Sequence, residues 1–239
     1  MRIKYYALTP FIFQFVIWRM TMRLFFKYFV GLQVAGIEHL KYVHGPVIFA
    51  PNHLSELDAL LLPLVLPPST KLSPIFYVVK ERKFYSTPSF GWRRHLYQSW
   101  VFRLLGAFPV QSGLQNYEAA LATHVRILSE GGTVCIFPEG RMSKTGVPGR
   151  AHGGVAYLAH RSERSIVPVR IQGTARISLL GFFSRTHAVS VEFLPPRTLV
   201  ITDPTPEILK DASQGILDEI CRKVIADTSV LGHEPVHAL

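Results

Sequence analysis

Two short polar segments, about eighty residues apart, contain the residue types that could do chemistry in this chain. The first runs from Asn52 to Asp58 and holds a histidine and two carboxylates. The second runs from Phe137 to Ser143 and holds Glu139 and Arg141. A carboxylate beside a histidine can fix the imidazole tautomer and stabilise the imidazolium, which makes the histidine a general base. The pattern predicts a base with an orienting acid in one segment and a substrate-holding loop in the other.

Either of two carboxylates could partner His53, and their spacings favour different geometries. In a regular helix, five residues turn the chain through about 500°, which places Asp58 about 140° away from the face of His53. Glu56, three residues on, would be a direct neighbour of His53 on that face. A pair between His53 and Asp58 therefore requires His53 to lie in a turn before the helix. Spacing alone leaves both carboxylates open.

A serine hydrolase is the first alternative chemistry, because Ser55 lies close to the histidine. The chain has no Gly-x-Ser-x-Gly elbow, however, and no phosphate-binding loop, dinucleotide fingerprint or His-Glu-x-x-His motif. Its two cysteines, Cys135 and Cys221, lack metal-binding and redox spacing and are typical of small buried hydrophobic residues. We therefore expect neither a metal site nor a cofactor.

Both segments follow short apolar runs, which predicts that both lie at the ends of strands. Strands are predicted at Val47–Ala50, Ile75–Val79, Ala107–Val110, Val134–Phe137, Ile166–Ile171 and Val189–Leu194. Helices are predicted at Leu60–Val65, Trp92–Leu105, Leu114–Ser129, Gly154–Arg161 and Pro206–Thr228. This alternation indicates a single α/β domain over residues 34–239, with a mixed, largely buried sheet flanked by helices. A chain of 239 residues, 48% of them hydrophobic, can bury such a core.

Residues 1–33 differ from the rest in charge and aromatic content. Five Lys and Arg but no acidic residue precede Glu38, in a chain of net charge +10. Cations interleaved with aromatic rings suit a lipid headgroup layer, and no nucleic-acid-binding module is present. Apolar runs such as Phe15–Trp18 are far shorter than the roughly 20 residues of a spanning helix. We predict an interfacial helix, or a shallow helical hairpin around Pro10, that contacts the membrane surface through residues 1–30. The alternative is an apolar helix packed on the domain.

The two segments together resemble the paired motifs of the glycerolipid acyltransferase family, which includes the 1-acylglycerol-3-phosphate acyltransferases. The matching residues are Asn52, His53, Ser55 and Asp58 in the first segment, and Phe137, Pro138, Glu139 and Gly140 in the second. The resemblance runs from about Gly36 to Leu194 and includes Gly106–Val110 and Ile166–Val169 as further blocks. It implies transfer of a fatty acyl group from an acyl thioester to a glycerolipid hydroxyl at a membrane.

This resemblance also implies roles for individual residues. His53 would be the general base, with Asp58 rather than Glu56 as its orienting acid. The residues expected to bind substrate are Asn52, Ser55, Lys80, Phe137, Pro138, Glu139, Gly140 and Arg141. No metal or covalent intermediate is needed, because a thioester is already activated. Backbone N–H groups around His53 or near Gly140 are candidate donors to the oxyanion.

Two departures from the family pattern concern the acceptor. Many relatives that use lysophosphatidic acid carry an arginine in the middle block, where this chain has Gln111-Ser112-Gly113. Arg141 directly follows Gly140, where the family usually has Thr-Arg, and this form is more similar to 2-acylglycerophosphoethanolamine acyltransferase domains. A dianionic phosphomonoester needs more cationic contacts than a phosphodiester, so lysophosphatidic acid is the less expected acceptor. The cations that could replace the missing charge are Lys80, Arg82, Lys83, Lys144 and Arg150.

The sequence therefore predicts a membrane-associated acyltransferase that acylates a lysophospholipid in phospholipid synthesis or remodelling, at the cytoplasmic face of a membrane. The donor would be acyl-CoA or acyl carrier protein, because 239 residues leave no room for an attached adenylate-forming domain. A basic surface suits an acidic carrier protein or anionic lipid, and no nucleic-acid partner is expected. The alternatives are a 1-acylglycerol-3-phosphate acyltransferase that makes phosphatidic acid, a non-catalytic lipid-binding member of the same fold, and a lipid hydrolase.

Overall fold

A mixed seven-stranded sheet forms the centre of the computed structural model, which describes residues 4–26, 31–67, 71–85, 99–110, 116–143, 146–175 and 188–230. Its strands are β1 (Gln33–Ala35), β2 (Ile48–Pro51), β3 (Ile75–Val79), β4 (Ala107–Pro109), β5 (Thr133–Cys135), β6 (Ile166–Gln172) and β7 (Ser190–Phe193). They lie in the order β1-β7-β6-β2-β5-β3-β4. Only the β6–β7 pair is antiparallel among these strands. The predicted α/β class and mixed sheet are confirmed.

Helices cover both faces of the sheet. They are α1 (Lys4–Phe11), a π-helical stretch (Ile12–Trp18), α2 (Arg19–Phe25), a 3₁₀ helix (Ile37–Tyr42), α3 (Asp58–Val65), α4 (Arg82–Tyr85), α5 (Ser99–Leu105), α6 (Tyr117–Ser129), α7 (Gly154–Ser162) and α8 (Pro206–Val230). The predicted helices over 60–65, 154–161 and 206–228 are present. Of the predicted helices over 92–105 and 114–129, the structure describes Ser99–Leu105 and Tyr117–Ser129, and the first residues of each lie outside the described ranges.

The central strands β2, β5 and β6 are buried on both faces, which explains their continuous apolar runs. Successive residues of β2 point into different clusters: Phe49 packs with α3 and the N-terminal helices, whereas Ile48 and Ala50 pack with α6, α7 and α8. All three side chains are fully buried. Two cores on either side of one sheet fix the sheet rigidly, so the loops at its ends are held in place.

The N-terminal helices form one continuous rod that is fastened to the domain by polar side chains. Gln14, in the π-helical stretch, is buried and donates to the carbonyls of Ile75 (2.8 Å) and Leu105 (2.8 Å). Its amide oxygen accepts from the Ile75 N–H (2.9 Å). The helix continues through Pro10, so the hairpin predicted there does not form. The inner face of these helices packs on the domain, as the alternative prediction for this segment states.

The outer face of this rod is apolar and exposed. Its exposed hydrophobic residues are Leu8, Phe11, Ile12, Val16, Ile17, Met20 and Leu24. None of the helices in the described ranges is both long enough and apolar enough to cross a bilayer. The rod thus has one apolar, exposed side and one side that packs against the domain.

His124 is a buried histidine on the inner face of α6. Its side chain is 0% exposed, and within the described part of the chain neither ring nitrogen makes a hydrogen bond of ordinary geometry. Burial disfavours the charged imidazolium and lowers the pKa of His124 from the ordinary 6.5 to about 4. The nearby backbone of Tyr77 and Phe108 opposes this shift only in part.

This depressed pKa predicts sensitivity to acid. The unfolded chain takes up a proton at His124 below pH 6.5, whereas the folded protein keeps the ring neutral down to about pH 4. The contribution of neutral His124 to the free energy of unfolding is therefore fully present above pH 6.5. It falls by roughly 3 kcal/mol as the pH drops from 6.5 to 4. His124→Leu removes that loss, so its free energy of urea unfolding should fall less than the wild-type value between pH 6.5 and 4. Exposed His44→Leu should keep the wild-type slope, and an unchanged slope in His124→Leu would contradict the prediction.

Candidate active site

Three loops meet at one edge of the sheet because of strand direction. β2, β5 and β6 are neighbours and all run parallel, so their carboxyl ends lie side by side. The polar segment that starts at Asn52 follows β2, and the segment that starts at Phe137 follows β5. Residues after Gln172 follow β6 at the same edge. The carboxyl edge of parallel strands is the usual location of ligand sites in α/β folds.

His53 and Asp58 form a hydrogen-bonded pair. His53 Nδ1 lies 3.0 Å from Asp58 Oδ2, and Asp58 is the first residue of α3. The same oxygen accepts the backbone N–H groups of Leu54 (2.6 Å) and Ser55 (2.8 Å). His53 thus occupies a turn before the helix, the one arrangement in which five residues of separation permit contact. Glu56 is exposed on the outer side of that turn.

The second oxygen of Asp58 contacts Thr174, which belongs to no sequence motif. Thr174 donates its hydroxyl to Asp58 Oδ1 over 2.7 Å, and both side chains are buried. A threonine just beyond the predicted strand 166–171 carries no motif. Its one sequence signal is its place at the carboxyl end of a strand that parallels β2.

The ring of His53 lies against an aromatic side chain. The imidazole stacks on Phe137, with ring centroids 3.9 Å apart and an interplanar angle of 21°. Its side chain is 18% exposed, whereas that of Asp58 is 0% exposed. With Nδ1 held by a carboxylate, Nδ1 carries the proton of the neutral ring and Nε2 is left as the acceptor. The arrangement can take a proton from a bound hydroxyl.

Glu139 connects the two predicted segments through backbone groups. Its side chain is buried, with Oε1 accepting the His53 N–H (3.0 Å) and Oε2 accepting the Gly149 N–H (2.8 Å). The Ser143 N–H donates to the His53 carbonyl over 2.9 Å. The backbone of His53 is therefore held on both sides by the loop after β5.

Asn52 and Ser55 also make internal contacts. The Asn52 amide donates to the Ile171 carbonyl (2.9 Å) and accepts from the Ile171 N–H (2.7 Å), which ties the end of β2 to β6. Ser55 Oγ accepts the Leu57 N–H over 3.0 Å, a contact that stabilises the start of α3. Among the residues predicted to bind substrate, these two and Glu139 hold the site together.

Two cations among the predicted binding residues lie within electrostatic reach of each other. Burial lowers the pKa of Lys80, and the positive charge of Arg141 lowers it further. Lys80 follows β3, with Nζ 4.2 Å from the centre of the Phe84 ring, and Arg141 is exposed. An anion between them would relieve their repulsion.

The bend that places Arg141 depends on its neighbour Gly140. Gly140 has φ +61, and a Cβ there would lie 3.0 Å from the His152 ring. Both the left-handed backbone and the close ring favour glycine.

The remaining candidate cations are Arg82, Lys83, Lys144 and Arg150. Arg150 is exposed, and Lys144 and the segment 111–113 lie outside the described residues. Nothing is described of the Arg82 and Lys83 side chains, although their backbone forms α4. No three His, Cys, Asp or Glu side chains of the described ranges come together as a metal site.

The fold described above is also found in a solved structure. A solved structure of similar fold is the 1-acyl-sn-glycerophosphate acyltransferase PlsC from Thermotoga maritima, with a TM-score of 0.57 and 17% sequence identity. The match covers 93% of this chain and 89% of that one. The architecture is thus the α/β fold seen in that acyltransferase.

Residues 31–172 match the family model described as Acyltransferase, and the chain belongs to that family. Over 154 residues it is 25% identical to the chloroplastic 1-acyl-sn-glycerol-3-phosphate acyltransferase LPAT1 of Arabidopsis thaliana, covering 64% of this chain and 39% of the relative. A probable 1-acyl-sn-glycerol-3-phosphate acyltransferase of Mycoplasma pneumoniae is 24% identical over 153 residues, covering 62% and 53%. The chain thus spans about two fifths to one half of the length of these relatives.

Proposed function

We propose that this acyltransferase moves a fatty acyl group from an acyl thioester to the free hydroxyl of a lysophospholipid. The observation that carries the proposal is the His53–Asp58 pair, whose second ring nitrogen is left as a proton acceptor at the open edge of the sheet. A buried carboxylate that orients a partly exposed imidazole is the arrangement a general base needs. The same pair argues against a purely lipid-binding role, for which the base has no use.

The reaction follows from the protonation of this ring. His53 Nε2 takes the proton of the acceptor hydroxyl as its oxygen attacks the thioester carbonyl. The tetrahedral intermediate then collapses, the C–S bond breaks, and the imidazolium returns the proton to the departing thiolate. Asp58 stabilises the imidazolium between these steps. General-base assistance of this kind contributes about 10²–10⁴-fold to a rate.

Four of the backbone N–H groups around His53 and at Gly140 are already engaged in hydrogen bonds within the site. Those of His53, Leu54 and Ser55 donate to the carboxylates of Glu139 and Asp58, and that of Gly140 donates to the Phe137 carbonyl. These amides shape the site and do not point into it.

His53→Ala should abolish acyl transfer, because it removes the base and leaves the rest of the site intact. Turnover is measured with purified protein, radiolabelled acyl-CoA and a lysophospholipid, and the loss should be about 10²-fold or more. Folding is checked by circular dichroism and thermal unfolding. His44→Ala, at an exposed position outside the site, should retain wild-type turnover. Near-normal turnover in folded His53→Ala would refute the mechanism.

Within the lysophospholipids, we propose lysophosphatidic acid as the preferred acceptor. The pair formed by Lys80 and Arg141 supports this choice, since two cations suit a dianionic phosphomonoester. The names of both relatives point the same way. A phosphodiester acceptor such as lysophosphatidylethanolamine is the second candidate, because the middle block carries Gln111-Ser112-Gly113 in place of an arginine.

Removal of either cation should therefore weaken lysophosphatidic acid selectively. We expect Lys80→Met and Arg141→Met each to raise the KM for lysophosphatidic acid about tenfold and to change the KM for lysophosphatidylethanolamine much less. Each acceptor is assayed with acyl-CoA and with acyl carrier protein as donor. Lys210→Met, which removes an exposed charge from α8, is the matched control. A wild-type preference for lysophosphatidylethanolamine would overturn the proposed acceptor.

We propose that the apolar outer face of the N-terminal helices lies on a membrane, where both acceptor and product reside. Met20 is 73% and Leu24 is 60% exposed, and Arg23 lies between them on the chain. Apolar side chains with nearby cations are suited to the headgroup boundary of an anionic bilayer.

Substitutions on that face test membrane binding better than a deletion, because a deletion would also remove the buried contacts of Gln14. Met20→Ser with Leu24→Ser should lower partitioning onto vesicles of mixed anionic and zwitterionic phospholipid by at least about tenfold, given the transfer energy of the methylenes lost. Flotation of the full chain is the measurement. The matched control is Tyr42→Ser with Val200→Ser, which removes two apolar side chains, 76% and 89% exposed, from other parts of the surface. Equal flotation of the two double variants would contradict the proposal.

A further inference from the structure

We propose that Thr174 is a positioning residue for acyl transfer: its hydroxyl fixes the plane of the Asp58 carboxylate and, through it, the orientation of His53. The inference rests on the proposed role of His53 as base. Thr174 lies beyond residues 31–172, the range over which the chain matches its family model.

The two oxygens of Asp58 have different surroundings. Oδ2 receives His53 Nδ1 and the N–H groups of Leu54 and Ser55. Oδ1 receives the Thr174 hydroxyl at 2.7 Å, the single donor to this oxygen from the described residues. Donors on Oδ2 alone would leave the carboxylate free to pivot about that oxygen. A donor on Oδ1 as well sets the plane of the group.

Burial makes this contact difficult to replace. Asp58 is 0% and Thr174 is 1% exposed, so bulk water does not reach the oxygen that the hydroxyl serves. Loss of the hydroxyl would leave a buried carboxylate oxygen without a donor, and a charged group in that state turns toward whatever donor remains. A turn of the carboxylate would carry His53 Nδ1 with it and move Nε2 away from the acceptor hydroxyl.

The backbone around Thr174 is built to place it there. Gly173 has φ +79, and a Cβ at that position would overlap the backbone of Ala188. Glycine therefore lets the chain turn toward the site directly after β6. Near the end of the same strand, Ile171 is held by both ends of the Asn52 amide. The segment that contains His53 and Asp58 is thus hydrogen-bonded both to β6 and to Thr174, just after that strand.

Thr174→Val removes the hydroxyl at nearly constant shape and is the direct test. We expect kcat with acyl-CoA and lysophosphatidic acid to fall about tenfold or more, as for other hydrogen bonds to buried charges. The KM of each substrate should stay within about twofold, because the hydroxyl touches neither. Thr174→Ser should recover most of the wild-type kcat. Thr174→Ala, which lacks the methyl group like the serine variant but also lacks the hydroxyl, should not.

A spectroscopic measurement separates positioning from packing and does not depend on turnover. With ¹⁵N-histidine labelling, and His53→Gln to assign the signal, the neutral His53 ring of the wild type should show a protonated Nδ1 and a bare Nε2. Thr174→Val should shift both nitrogen signals toward a mixture of tautomers. If the proposed reaction itself were wrong, the wild type would fail to transfer acyl groups while this spectrum would still report the Thr174 contact.

Thr133→Val is the matched control, since Thr133 is also buried but lies at the opposite end of β5. It should retain the wild-type kcat and the wild-type His53 spectrum. The proposal is overturned by unchanged kcat and nitrogen shifts in Thr174→Val, or by equal losses in Thr174→Val and Thr133→Val. Should Thr174→Val fail to fold, the serine and alanine variants decide the matter, and equal activity and spectra in that pair would overturn it.

Discussion

The candidate active site is arranged around the buried carboxylate of Asp58. From the described residues this carboxylate receives four hydrogen bonds, three from the turn of residues 53–55 and one from Thr174 after β6. A charge that is 0% exposed needs such partners, because it has lost its hydration. Meeting that need dictates the tight turn, the start of α3 at Asp58 itself, and the close approach of the β6 loop. The orientation of His53 is a by-product of the same set of bonds.

The helix that begins at Asp58 is in turn held from outside. Pro63 has no N–H, so the carbonyl of Ala59 lacks its helical donor, and the Tyr77 hydroxyl takes its place at 2.5 Å. Burial raises the pKa of Tyr77 well above its usual range, which keeps that hydroxyl protonated as a donor. Further along, Trp18 donates to the Leu60 carbonyl over 2.8 Å, and Arg19 donates to the Leu66 carbonyl. A strand and the N-terminal rod thus fix α3 at three points.

Much of this arrangement follows from the sequence, because its signals are local. Apolar runs of four to seven residues that end in polar segments predict strand ends, and the predicted strand at Ile75–Val79 is present with those same bounds. What sequence reasoning could not supply depends on contacts between distant parts of the chain. Thr174 lies 116 residues from Asp58, and no periodicity relates the two. The short β1 strand is not predicted by the sequence, since all three residues of Gln33–Ala35 are exposed and β1 is the outermost strand of the sheet.

Residue types alone do not show which contacts a side chain makes within the site. Glu139 belongs to a motif and is predicted to bind substrate; both its oxygens accept backbone N–H groups, and its contact with substrate stays a prediction. Whether Glu56 or Asp58 is the partner of His53 depends on whether His53 lies inside a helix or before it, a difference of one turn of backbone. Spacing constrains such pairs only when the local backbone is known.

The buried Gln14 amide has a geometric consequence for the whole molecule. It bonds to β3 and to the end of α5, while Trp18 and Arg19 bond to α3, so the rod is hydrogen-bonded directly to the sheet and to a helix that packs on it. When the apolar side of the N-terminal helices contacts a surface, these hydrogen bonds set the angle and height of the whole domain relative to that surface. The distance from that surface to His53 is then set by the fold.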